Sequence, residues 1–279
     1  MNTLQIAATC SLALLANTVS VRADLISISY TAMTMGEVTD LTTFSSAGGV
    51  NLDWVKWGGS GDSGLSFSTI EKSGGTLIDP TLTMIDPTAP GAPDVVAAAF
   101  SGPLAFDWSD GATITNGTGV DTIVTQTMTP AQAGYPIAIG QSFNVQATGD
   151  VRVLDVFVQG FDSDMLLTAS MSGGDTDSII VPIDDPSTLA LGGNFFSVGR
   201  FQVVYRGLGQ TLTVSTMTVN DGSRMGAQSQ FANAGMFAAA VSTPEPASLA
   251  MLGVACLLSG GIQLRRRRRP VPEWIATTC

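Results

Sequence analysis

The chain has 279 residues, 44% of them hydrophobic and 13% charged, with 12 basic against 23 acidic side chains and no histidine. Its cysteines, Cys10, Cys256 and Cys279, all fall outside residues 24–246, so that stretch holds neither a disulfide nor a thiol nucleophile. The missing histidines remove Ser-His-Asp and Cys-His catalysis and histidine metal sites, which leaves carboxylates for acid–base chemistry.

Residues 1–23, MNTLQIAATCSLALLANTVSVRA, have the form of a secretory signal peptide. Ile6 to Ala16 supplies the apolar region, and Val21-Arg22-Ala23 sets a cleavage position before Asp24. From Asp24 to Pro246 there are 22 acidic and six basic side chains, a net charge of −16. Such a surface repels nucleic acid and anionic lipid, so DNA or RNA binding is excluded as a function class. A domain of this length can bury an adequate core without disulfides.

Gly, Thr, Ser and Val dominate residues 24–242, in short alternating runs punctuated by Gly, Asn, Asp and Pro, which predicts strands and turns. Strands are expected at Leu25–Tyr30, Val50–Trp57 (Leu52, Trp54 and Lys56 on one face) and Leu65–Ile70. Residues 79–103, with five prolines, read as a long connection, followed by strands at Val120–Met128 and Phe143–Val145. The clearest alternation is Val151–Val158, with Val153, Asp155 and Phe157 facing one way and Leu154, Val156 and Val158 the other. Strands at Met165–Met171 and Ile179–Ile183 follow, then an expected hairpin of Phe201–Tyr205 with Gln210–Val219 across Arg206-Gly207-Leu208-Gly209. A last strand falls within Gln228–Ala240, although the alanines at 231–241 also suit a helix. Ten or more such strands predict an all-β fold, a two-layer β-sandwich with the jelly roll as one of its forms. Helices are expected only at the two ends, as a signal helix and a transmembrane helix.

The C-terminal tail is the most specific stretch. Ala247–Leu264 carries no charge, and eighteen helical residues span about 27 Å, close to the ~30 Å hydrocarbon thickness. Arg265, Arg266, Arg267, Arg268 and Arg269 then act as a stop, since each arginine costs roughly 2.5–3.5 kcal/mol at the bilayer centre. The positive-inside rule puts them in the cytoplasm and the preceding domain outside. Pro244-Glu245-Pro246, the apolar span and the arginine cluster together resemble the PEP-CTERM sorting signal of Gram-negative bacteria. The resemblance covers residues 243–269. It implies recognition by an exosortase, a transpeptidase-like membrane enzyme, with removal of the tail and an association with exopolysaccharide. The chain departs from the pattern by continuing through a short extension, residues 270–279. The stretches DWVKWG (53–58), FDWSDG (106–111), 153–174 and 201–214 resemble a β-sandwich module of bacterial surface proteins and some carbohydrate-active enzymes, which implies the fold and no particular activity.

Three candidate sites follow from the residues. Asp162, Asp164, Asp175 and Asp177 flank one strand in an acidic domain and could contribute oxygen ligands to calcium; the weightier alternative is that they make turns. Trp54, Trp57 and Trp108 could stack on sugar rings; packing is expected for Trp54 and Trp108, whereas Trp57, beside Gly58-Gly59, is the candidate glycan contact. A glycosidase would need two carboxyl groups across a cleft, and Glu37 and Glu71 are the only glutamates before the tail other than Glu245. No catalytic residue and no cofactor is therefore assigned. The chain reads as an exported, non-enzymatic protein that uses the general secretory machinery. The alternative is a carbohydrate-binding module or glycan-active enzyme with the same address.

Overall fold

The computed structural model describes residues 24–58, 68–85, 95–112, 114–127, 139–161, 163–182, 189–191, 194–219 and 233–245. They are all-β, with no helix among them. The expected signal helix, the transmembrane span, Pro246 and Arg265–Arg269 lie outside the described residues. Along the chain, β1 is Asp24–Ala32, β2 Val38–Asp40, β3 Gly48–Trp57, β4 Thr69–Glu71, β5 Thr83–Ile85, β6 Val95–Trp108, β7 Gly117–Thr127 and β8 Gly140–Gln146. The series continues with β9 Arg152–Phe161, β10 Asp164–Met171, β11 Thr176–Val181, β12 Leu189–Leu191, β13 Asn194–Arg206, β14 Thr211–Val219 and β15 Asn233–Pro244.

These strands form two sheets. The larger runs β1-β13-β9-β15-β7-β6-β2, with β12 beside β13 and β3 pairing the second half of β15 and then β4; the smaller runs β11-β10-β14-β8-β5. The alternation of β9 is realised as expected. Leu154, Val156 and Val158 enter the core between the sheets, where they join Phe201 and Val203 of β13, Leu167 and Ala169 of β10, and Leu212 and Val214 of β14. Thr211, Thr213 and Ser215 of β14 alternate with those core residues, as a half-buried pleated strand requires, while Thr216 and Thr218 continue its buried face.

A second core covers the outer face of the larger sheet. Phe157, Ala238, Ala240, Trp54 and Phe237 lie beneath Leu41, Leu104, Phe106 and Trp108, with Phe44 and Met33 packed at its margin. Phe157 sits edge-on to both Phe44 and Phe106, each centroid 5.1 Å away. β15 is therefore covered on both faces, and its first ten residues are all buried. This explains why 231–241 could suggest a helix: a strand enclosed on both sides loses the alternation that marks a strand. Small side chains at Ala238 and Ala240 leave room for the aromatic rings above them.

Several expectations need correction. Phe201–Tyr205 and Gln210–Val219 do not pair as a hairpin: β13 belongs to the larger sheet and β14 to the smaller, so residues 207–210 form an arch between layers. The stretch 79–103 is not one connection, since β5 and the first half of β6 lie in it, and Pro103 sits where the β6–β7 ladder is interrupted between Ser101 and Phe106. Pro at a bulge gives up no ladder bond. Leu52 does not share a face with Trp54 and Lys56. The register shift between Asn51 and Asp53 turns it toward the inter-sheet core.

Both ends of the domain leave from one end of the larger sheet. Asp24 opposes Arg206, Val204 opposes Val153, Val153 opposes Ser242, and Pro244 opposes Gly48. Phe157→Ala should cost about 3–5 kcal/mol of unfolding free energy, because it empties the middle of the second core. Val50→Ala, at a position 66% exposed, should stay within about 0.5 kcal/mol. Urea unfolding of both variants checks this, and equal effects would show that the outer layer does not fold with the sandwich.

Candidate functional site

The tryptophans are structural. Trp57 is fully buried, its ring edge-on to Phe143 at 4.9 Å and its Nε1 donating to Pro80 O at 2.7 Å. It cannot present a face to a sugar, which corrects the expected glycan contact. The Gly58-Gly59 break does not expose it because β3 runs into the inter-sheet core up to its last residue. Trp54 and Trp108 are buried as expected, donating to Asp110 Oδ1 at 2.8 Å and to Ile114 O at 3.0 Å.

The aspartates of the calcium reading do not converge. Asp164 is buried at one end of the β10–β11 ladder, whereas Asp175 and Asp177 lie at the other, where Ser170 opposes Thr176. Five to six residues of strand at ~3.3 Å each separate them by roughly 17–20 Å, too far for one cation. Asp175 O accepts Met171 N at 2.8 Å, which is turn bonding, and Asp177 Oδ1 accepts Ser178 N at 2.8 Å. Asp162 lies outside the described residues. Among the described residues no three acidic or sulfur ligands form a metal-sized group.

Three charged side chains that the sequence reading did not single out are buried. Lys56 donates from Nζ to Trp57 O at 2.8 Å and Gly58 O at 2.7 Å, and lies over the Phe106 ring. Asp155 accepts Ser46 Oγ at 2.5 Å and Gln202 Nε2 at 3.2 Å, with Arg200 Nε 3.4 Å away. Asp53 accepts three backbone N–H groups, from Trp54 at 2.9 Å, Leu77 at 2.6 Å and Ile78 at 2.9 Å. Burial raises the pKa of both aspartates above the ordinary 3.8, against the opposing pull of these hydrogen bonds. The signal for Asp155 was present in the sequence, as the one carboxylate on the Phe157 face of an apolar strand.

Asp53 also positions an accessible groove among the described residues. By holding Leu77 and Ile78 it seats residues 76–79 against β8, where Asp79 N donates to Asn144 O at 2.9 Å and Gln146 N to Leu77 O at 2.7 Å. Thr76, Asp79, Asn144, Gln146 and Thr211 then line a groove of about 290 Å³. The groove opens at the end of the smaller sheet's outer face. There one row across the sheet reads Ser178, Thr168, Ser215, Ser142 and Thr83.

At the start of the Pro244-Glu245-Pro246 triplet, Pro244 is still part of β15 and opposes Gly48, and Glu245 N donates to Ala47 O at 3.2 Å. Val50 N donates to Thr243 Oγ1 at 3.0 Å. The close approach needs glycine, because a Cβ on Gly49 would overlap Thr243 O.

No family model matches the chain, and no curated protein matches it. Among solved structures, the enzymatically active domain of tailspike protein 4 of bacteriophage CBA120 aligns with a TM-score of 0.29 and 10% identity. That alignment covers 58% of this chain and 19% of the tailspike chain, a likeness too slight to inform fold or activity.

The buried aspartates set a pH dependence. Their folded pKa values are raised, so their contribution to stability is complete below about 3.8 and is lost as pH rises through the folded values. The urea midpoint should therefore rise on acidification from pH 7 toward the mildly acidic range. Asp155→Asn should flatten that rise, and an unchanged slope in the variant would mean that Asp155 does not titrate with folding.

Proposed function

We propose that this chain is an exported, non-enzymatic protein of the cell envelope or extracellular matrix, with a jelly-roll sandwich as cargo and a C-terminal sorting tail. The jelly-roll reading is supported by the strand orders β7-β15-β9-β13 and β8-β14-β10-β11, whose successive members from β8 to β10 and from β13 to β15 change layers. Residues 1–23 carry the chain into the general secretory machinery. Pro244, Glu245 and Pro246, the apolar span and Arg265–Arg269 deliver it to an exosortase-type enzyme. Release would place the domain among exopolysaccharide.

The observation that carries this reading is the order of motif, span and arginine block behind a secretory leader and a strongly acidic domain. It is supported by β15 closing the sandwich at Pro244, so that a cut just beyond Pro246 would leave every described strand intact. The non-enzymatic reading is supported by Asp53 and Asp155 being spent on hydrogen bonds inside the fold.

Intact-mass measurement of the protein recovered outside the cell tests the proposal. The expected species begins at Asp24 and ends near Pro246. A full-length tail recovered only from the membrane fraction would replace sorting by plain anchoring, and a cytoplasmic full-length chain would overturn export itself.

A further inference from the structure

We propose that the outer face of the five-stranded sheet, together with the groove at its Gln146–Thr211 end, binds an uncharged polysaccharide chain. The inference rests on export only in so far as such polymers lie outside the cell; its geometry is independent of the tail.

The face is exceptional in its charge. Residues 24–246 carry a net charge of −16, yet from the row of Leu166 to the row of Ser170 every outward side chain of the smaller sheet is uncharged. Next to the Ser178–Thr83 row, Thr213 Oγ1 donates to Asn144 Oδ1 at 2.8 Å, and Ser170 and Thr176 share a hydroxyl–hydroxyl bond of 2.8 Å. The first contact leaves the Asn144 Nδ2 hydrogens for a ligand. Strands ~4.8 Å apart repeat these hydroxyl and amide groups in ranks, which suits a polymer that itself presents hydroxyls at regular intervals. Because the groups stand on paired strands rather than on loops, little side-chain or backbone freedom is lost on binding.

The groove gives the flat face an end-stop. Asn144 and Gln146 offer amides, Thr211 and Thr76 hydroxyls, and Asp79 a carboxylate whose Oδ1 also accepts Thr81 N at 3.0 Å. Both donors and acceptors therefore line it, as sugar hydroxyls require. The charge argument selects among partners. An acidic polymer would meet Asp79 and the field of the whole domain, whereas a neutral one meets neither penalty. A protein partner would be expected to find aromatic anchors at the centre of the face, but the outward residues from the Leu166 row to the Ser170 row include no aromatic one, and the apolar side chains Ile180, Leu166, Met217 and Ile85 form a single row to one side of Thr168 and Ser215.

The test uses the purified full-length chain in detergent, with dextran, mixed-linkage β-glucan and galactomannan as neutral probes and polygalacturonate as the acidic one. Isothermal titration should give saturable binding to at least one neutral probe and none to the acidic polymer. Hydrogen exchange on the unmodified protein should then show protection over 142–146, 166–170 and 211–217. Ser215→Arg, which puts a long cation in the middle of the face, should weaken binding by about tenfold or more; Thr168→Arg is the second variant if the first fails to fold. Absence of binding to all three neutral probes, protection confined to other segments, or tighter binding of polygalacturonate would each overturn the proposal. None of these outcomes bears on the mass of the exported species, so failure here and failure of the sorting reading are separable.

Discussion

Everything in this domain leans on β15. It pairs with β9 along one side and with β7 and β3 in succession along the other, and it contributes side chains to both cores. Because it has two buried faces, its sequence had to give up polar residues almost entirely; because large rings sit over one face, it had to carry alanines there. Its register shift between Met236 and Ala238 turns Phe237 outward into the second core. Gly102 takes part in the same fit, since a Cβ at that position would strike the Phe237 ring. The irregular stretch of β6 is therefore the counterpart of the irregularity in β15, and neither makes sense alone.

Around that strand, buried charge is used to fix loops that hydrophobic burial would leave free. Asp155 reaches Ser46 and so holds the 41–47 segment down on the second core, while Asp53 holds 76–78 against β8. Each carboxylate has to be desolvated, and the upward shift in its pKa is the measure of that opposition. Deleting either acid would free a segment as well as remove a charge, since the Ser46 hydroxyl in one case and the Trp54, Leu77 and Ile78 N–H groups in the other would lose the carboxylate that accepts them. The arrangement trades stability at neutral pH for a defined surface.

Much of this was legible from the residues. The all-β character, the two faces of Val151–Val158, and the packing roles of Trp54 and Trp108 follow from period-two alternation and from the burial that large aromatic rings require. What failed did so for physical reasons. Arg206-Gly207-Leu208-Gly209 is an ordinary hairpin turn locally, and only the competition between two sheets for β13 and β14 decides that it spans layers. Trp57 looked exposed because a glycine pair follows it, but exposure depends on Phe143 and Pro80, which are distant in sequence. The groove could not be seen at all, since residues 76–79, 144–146 and 211 meet only through sheet register.

The shared exit of the two chain ends has a consequence for orientation. A membrane span that began at Ala247, one residue past Pro246, would leave almost no linker between bilayer and sandwich. The strands would then stand roughly upright on the membrane, with the Asp24–Arg206 and Pro244–Gly48 pairs at the base. The Gln146–Thr211 pair and the 207–210 arch are at that same end. In such an anchored form the groove would face the lipid headgroups, and in a form ending near Pro246 it would face solvent instead. Detachment would then do more than relocate the domain: it would uncover a concave part of its surface lined by Thr76, Asp79, Asn144, Gln146 and Thr211.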